Sequence, residues 1–327
     1  MEIIGHENTK KQLGVAIEAA NQQNMAAPHM LFSGAAGCGK TTLANYLART
    51  MGCPFLSVVP NDLKDYKSVL KILDKLNHES YDAWGNRSGK ISPTVMFLDE
   101  VHNLPLKGQE LLGLVMERFR IEAAKPNTYL WVPYFTLVGA TTVPGNLSKP
   151  FRDRFKLNFL FSPYNDKEMH EIIKYHARRI GIRITMAGIY ETVVRSRGTP
   201  RIAVGFLERI RDYMLSIESR VATGHLVREV FHDLQIDSEG FNELEIKLMK
   251  SLHEAGQPVS LDNLSIIIQE DPKSIRGFAE PYLIRKGMIL VSGKGRVLTD
   301  KGRTYLNNSG KADKLVKMEI DFNYERK

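Results

Sequence analysis

Cysteine is almost missing from this sequence: Cys38 and Cys53 are the only two among 327 residues. Two thiols without paired spacing exclude a disulfide framework and a cysteine-built zinc site. Long apolar runs are missing as well, so nothing in the sequence reads as a bilayer-spanning helix. The opening MEIIGHENTKK lacks the basic, apolar and small-residue succession of a secretion signal. A cytoplasmic protein with no membrane partner is expected. Internal repeats and low-complexity tracts are also absent. What remains is an ordinary globular composition, 43% hydrophobic and 25% charged, long enough for two or three domains.

Acidic residues are scarce in one place only. From Lys273 to Lys317 there are eleven Lys and Arg against three Asp and Glu, an excess equal to the whole net charge of +8. A solvated basic face would account for this, and so would the electrostatic footprint of nucleic-acid binding.

Apolar runs at residues 29–33, 55–59, 94–98, 134–138 and 157–161 read as strands, separated by helical patterns such as Tyr66, Val69, Leu73, Leu76. This alternation predicts an α/β fold, a doubly wound parallel sheet. After residue 165 the pattern turns helical, and near Glu239 a third segment begins. Behind the first strand stands GAAGCGKTT, then a helix with Leu43, Leu47 and Met51 on one face. Gly34, Gly39, Lys40 and Thr41 match a phosphate-binding loop, a pattern that average residue frequencies would yield by chance in roughly one chain in a hundred of this length. Glycines there let the amides of Gly37, Cys38 and Thr42 curl around a phosphate. Lys40 reaches the outer phosphates and Thr41 binds Mg2+. ATP with Mg2+ is therefore expected. Cys38, among those amides and beside Lys40, is expected to carry a reactive thiol that nucleotide protects.

VMFLDE delivers Asp99 and Glu100 at the carboxyl end of a buried strand, where ligands of open α/β sheets bind. Asp99 would hold the metal and Glu100 would polarise the attacking water. LVGATT brings Thr141 and Thr142 to the end of another strand, where a hydroxyl can hold water or the γ-phosphate. In SRGTPRIA, Thr199 reads as an N-cap and Pro200 as the first helical residue. Arg201 then falls in a first turn, where the helix dipole disfavours a cation and implies a compensating anion. KPFRDRF poses the same question, with Arg152 and Arg154 close to a strand and no anion in sight.

Taken in order, GAAGCGKTTLA, FLDEVHNL, FTLVGATT, PFRDRF, SRGTPRIA, EPYLIRKG and GKGR resemble the AAA+ ATPases and, among them, the RuvB family of Holliday junction branch-migration motors, from about Ile3 to Leu306. The resemblance implies an AAA+ P-loop sheet domain, a small helical lid and a C-terminal winged helix. Their expected bounds are 1–162, 163–238 and 239–306, with a basic tail at 307–327. It implies that Ile3, Ile4, Tyr164 and Pro200 line the adenine pocket and that Thr142 is the first sensor. It also identifies the missing anion as the γ-phosphate of a neighbouring subunit, with Arg154 as the arginine finger and Arg152 as its helper or as an ion-pair residue within the subunit. A homo-oligomeric ring, a hexamer, follows, acting on four-way junction DNA or duplex arms. The helices at Leu244–Leu252, 261–268 and 275–286 and the strands of MILVSGKGRVL fit the winged helix. Arg285, Lys286, Lys294 and Arg296 are its expected phosphate contacts.

The family's partner-binding hairpin corresponds to residues 120–133, with exposed Leu130 and Trp131 and a turn at Lys125, Pro126 and Asn127. It is shorter here, so weak or no binding to a standard RuvA, and use of another adaptor or direct DNA binding, is expected. Asn103 and Val143 replace arginines usual in the family, Lys156 replaces a glycine, and an insertion spans residues 78–93. The chain also starts almost at IIGHE, without the segment that helps cover the adenine. These differences suggest a divergent member. The rival readings are an AAA+ clamp or helicase loader and a nucleotide-gated binding protein without turnover.

Overall fold

The computed structural model describes residues 3–76, 93–122 and 129–308. The bulk of the 78–93 insertion, the hairpin turn at 125–127 and nearly all of the basic tail lie outside those residues. The chain divides into two compact units, Met1–Ala222 and Thr223–Lys327.

In the first unit, α1 (Glu7–Gln23) leads to β1 (Met30–Gly34), α2 (Lys40–Met51), β2 (Phe55–Val58), α3 (Tyr66–Leu73), β3 (Thr94–Leu98) and α4 (Leu106–Arg118). A hairpin, β4 (Arg120–Glu122) with β5 (Tyr129–Trp131), precedes β6 (Phe135–Thr141), α5 (Lys149–Arg152) and β7 (Leu157–Phe161). The five long strands form one parallel sheet in the order β2-β3-β6-β1-β7. Every residue of β3 and of β6 is buried, which is why both read as unbroken apolar runs rather than alternating ones. β6 extends three residues past the expected Val138, because Gly139, Ala140 and Thr141 are small enough to continue between neighbours. Ser33 pairs with Thr141 and Leu98 with Gly139, so β1, β3 and β6 end at one edge of the sheet.

His29 is the polar exception in this core. Its Nδ1 accepts from the Leu137 amide at 2.9 Å and its Nε2 donates to the Met116 carbonyl at 3.0 Å, joining β6 to α4. Burial lowers its pKa to about 4. Beyond the sheet, α6 (Asp166–Arg179), α7 (Met186–Arg195) and α8 (Pro200–Ser216) pack on one another. On the inner face of α8, Ala203, Leu207, Ile210 and Met214 are buried, while Ile202 and Phe206 are half-buried.

The second unit comprises α9 (Gly224–Asp233), α10 (Glu243–Ala255), α11 (Leu261–Ile268), a fourth helical run and a hairpin. That run is α12 (Pro272–Ser274), a π-helical turn over Ile275–Ala279, and α13 (Glu280–Arg285). Strands β8 (Ile289–Ser292) and β9 (Gly295–Leu298) close the fold antiparallel. Phe241, Leu248, Leu264, Ile275, Leu283 and Ile289 are fully buried in its own core, each contributing roughly 1.5–3 kcal/mol of transfer free energy.

Candidate active site

The loop after β1 is built on glycine. Gly34 has φ 144°, and a Cβ there would lie 2.2 Å from the Phe161 carbonyl of the paired strand β7. Gly39 has φ 90°, and a Cβ would lie 2.6 Å from the Tyr164 hydroxyl. Only glycine fits these places without strain. The loop opens into α2, whose N-terminal dipole faces the cleft.

Lys40 is buried, its Nζ donating to the carbonyls of Gly34 at 2.7 Å and Ala35 at 2.9 Å. Desolvation lowers its pKa. Glu100 and Asp99 act against that shift, and Arg201 reinforces it. An incoming phosphate would offset both cations.

The cleft around Lys40 has a volume of about 410 Å³. Among the residues predicted from sequence, Ile3, Ile4, Gly37, Gly39, Lys40, Thr41, Thr42, Asp99, Glu100, Tyr164, Pro200 and Arg201 line it. Thr199 stands at the N-cap of α8, although its side chain forms no capping bond, and Pro200 opens the helix. Arg201 thus enters the first turn with no acidic neighbour there, and its Cβ stands where a Cβ on Gly37 would clash at 2.8 Å. The stem of Arg201 sits against the phosphate loop.

Glu100 follows β3 in the left-handed region, φ 46°. Its Oε2 lies 3.3 Å from Thr142 Oγ1, 3.4 Å from the Thr142 amide and 3.2 Å from His102 Nδ1. His102 Nδ1 is in turn 2.9 Å from Thr141 Oγ1. Asp99 accepts from the Glu100 amide at 3.0 Å. The residues fit a magnesium ion: Thr41 offers a hydroxyl and Asp99 a carboxylate in the same cleft. No group of three or more His, Cys, Asp and Glu able to hold a metal occurs among the described residues. A magnesium that shares its shell with phosphates needs none.

Sequence reasoning missed several residues. His6 donates from Nε2 to the Cys38 carbonyl at 3.0 Å and meets the Tyr164 and Phe161 rings edge-on at 4.5 and 4.8 Å. That network bolts the N-terminal strap to the loop, and burial holds the Tyr164 phenol well above its ordinary range. Ile172, Tyr175, His176 and Arg179 line the cleft from α6. Their one-face helical spacing was the available signal. Burial, then Arg179, lowers the His176 pKa.

Two expectations are corrected. The Cys38 side chain is wholly buried in an apolar cluster with Phe32, Leu43 and Phe161, so its thiol faces the core and not the cleft. Arg296 is not a free cation on the wing. It is 8% exposed, and its Nε donates to Glu280 at 2.6 Å. Its charge is spent inside the second unit. Lys294 is exposed at the hairpin turn and Arg285 on α13, while Lys286 lies 3.6 Å from Glu239. Arg154 does not line the cleft of its own chain. It lies against α4, its Nη2 3.2 Å from Glu117. Tyr129, Leu130 and Trp131 are exposed on β5, Trp131 at 65%, with the Arg120 guanidinium 4.3 Å from the Tyr129 ring.

Three family models match in succession: "Holliday junction DNA helicase RuvB P-loop domain" over residues 1–160, "RuvB AAA lid domain" over 164–237 and "RuvB C-terminal winged helix domain" over 238–307. The "Holliday junction branch migration complex subunit RuvB" of Bifidobacterium longum is 32% identical over 318 residues, covering 95% of this chain and 86% of that protein. Its Wolinella succinogenes counterpart is 32% identical over 305 residues, covering 91% and 87%. The Thermotoga maritima RuvB Holliday junction branch migration motor superposes with a TM-score of 0.77 at 32% identity, covering 93% of this chain and 95% of that one. A P-loop sheet, a helical lid and a winged helix in this order, with a phosphate loop and a paired Asp and Glu in one cleft, place this chain in the RuvB family of AAA+ ATPases.

Proposed function

We propose that this protein is an ATP-driven, ring-forming motor that promotes branch migration of four-way DNA junctions. The observation that carries this reading is the division of charge. Lys40, Thr41, Asp99, Glu100 and Arg201 converge on one cleft, while Arg154 lies outside it. A site that lacks its last cation is completed by a second copy.

ATP binds with its phosphates over the loop amides, its base between Ile4, Tyr164 and Pro200, and its outer phosphates against Lys40 and Arg201. Thr41 and Asp99 would hold magnesium, which would supply charge neutralisation for the phosphates. Glu100 orients and polarises the attacking water, and Thr142 holds the Glu100 carboxylate within 3.3 Å. Arg154 of the neighbouring subunit stabilises the charge that develops in the transition state. A hexameric ring, three domains divided near residues 162 and 238, DNA contacts through Arg285, Lys286 and Lys294, and an adaptor site at residues 120–133 complete the proposal. The shortened hairpin favours an adaptor other than a standard RuvA.

The test is ATP-dependent strand separation of synthetic four-way junctions, run beside clamp-loading and simple DNA-stimulated hydrolysis assays. Junction migration that is lost in Lys40→Ala supports the motor. Hydrolysis with clamp loading and no migration would favour a loader instead.

A further inference from the structure

Helix α4 carries a glycine where helix propensity argues against one, since an interior glycine favours the helix less than alanine does. The reason lies across the helix. A Cβ on Gly113 would stand 3.1 Å from Arg154 Cδ, 3.2 Å from its Nε and 3.4 Å from its Cζ. The arginine stem therefore lies in a notch where a methyl group would push it aside by a few tenths of an ångström. One turn further along α4, Glu117 Oε2 receives Nη2 at 3.2 Å, and the Pro150 carbonyl receives Nη1 at 2.6 Å. Arg154 Nε is buried with no hydrogen-bond partner. Leaving that donor unmet is unfavourable, so the stem is held by the notch and by the two guanidinium contacts.

We infer that Gly113 and Glu117 are positioning residues for the arginine finger: the notch and the carboxylate fix the stem of Arg154 so that its guanidinium is aimed before a neighbour docks. This rests on the proposed action of Arg154 on a second copy's nucleotide. Each contact uses one hydrogen of its nitrogen. One N–H on Nη1 and one on Nη2 remain, a pair of donors suited to two oxygens of a phosphate. The Glu117 side chain is 57% exposed, so its removal threatens aim more than folding.

The experiment measures ATP hydrolysis by the full-length chain in its assembled form. Glu117→Ala is expected to lower kcat about tenfold to a hundredfold, up to the scale of a misplaced catalytic group, with KM, nucleotide affinity and melting temperature unchanged. Glu117→Gln, which keeps an oxygen acceptor, is expected to recover most of the loss. Mixing Glu117→Ala with Lys40→Ala should raise turnover, because the second chain supplies a well-aimed Arg154 to the first chain's intact cleft. Gly113→Ala should show the same kcat loss, and combining it with Glu117→Ala should add little. Glu117→Ala hydrolysing at the parent rate or faster, while Arg154→Ala is dead, overturns the positioning role and leaves the finger intact. Hydrolysis surviving in assembled Arg154→Ala overturns the finger itself.

Discussion

The nucleotide cleft and the wing of the second unit look alike in sequence: each sets cations beside glycines after a strand. They dispose of the charge in opposite ways. In the cleft, Lys40 is held only by neutral carbonyls and Arg201 has no acidic neighbour in its turn. On the wing, Arg296 meets Glu280 through two nitrogens, at 2.6 and 3.4 Å, and both are buried. A cation that meets no buried carboxylate is available to a ligand, and so is Arg154, whose partner Glu117 is 57% exposed. One neutralised inside a core is part of the fold.

The sharpest way to break this comparison is to remove one cation of each kind. Arg154→Ala should bind nucleotide normally and lose about 10³-fold or more in hydrolysis, as read by steady-state turnover beside a fluorescent-nucleotide titration. Mixing it with Lys40→Ala should restore part of the activity. Arg296→Ala should instead leave Glu280 buried and alone, costing about 3–5 kcal/mol of stability, as measured by chemical denaturation. Arg296→Ala melting like the parent while losing DNA affinity would reverse the assignment.

A third measurement concerns a buried base of the first unit. His29 titrates at about 4 in the fold against 6.5 in the unfolded chain, so the unfolded state takes the proton first. Its contribution is complete above pH 6.5 and is lost as pH falls towards 4, about 3 kcal/mol at roughly 1.4 kcal/mol per unit. Denaturation curves between those values should flatten in His29→Ala. Smaller still, Lys294→Ala should leave stability unchanged and reduce by about one the slope of log affinity for DNA against log salt. The smallest effect is chemical. In the native state Cys38 should resist alkylation, while Cys53, half-buried and with its pKa raised by burial, should label slowly and faster as pH rises. Mass spectrometry of the labelled peptides decides it.

The legible parts were those set by local pattern. β3 and β7 run over the expected residues because Pro93 and Asp99 bound the first run and Lys156 and Ser162 the second, and α11 begins and ends where Ser260 caps it and Gln269 turns left-handed. The cleft was legible because its residues sit at fixed distances from strand ends. What remained hidden depended on partners distant in sequence. Glu280 reaches Arg296 across 16 residues, Glu117 reaches Arg154 across 37, and His29 joins Leu137 across 108. The π-helical turn at Ile275–Ala279 also left no mark in the helical periodicity. The thiol of Cys38 went astray for a related reason: loop membership fixes where a backbone lies and not which way its side chain turns.

Glu100 carries a cost of its own. A non-glycine residue with φ 46° sits in a region that disfavours a Cβ by roughly 1–2 kcal/mol. Glycine at this position would relieve that strain, and the resulting protein should tolerate more denaturant while hydrolysing no ATP. On the proposed role of Glu100, the chain is then less stable than a single substitution could make it. Thermal endurance and work are opposed at one backbone dihedral.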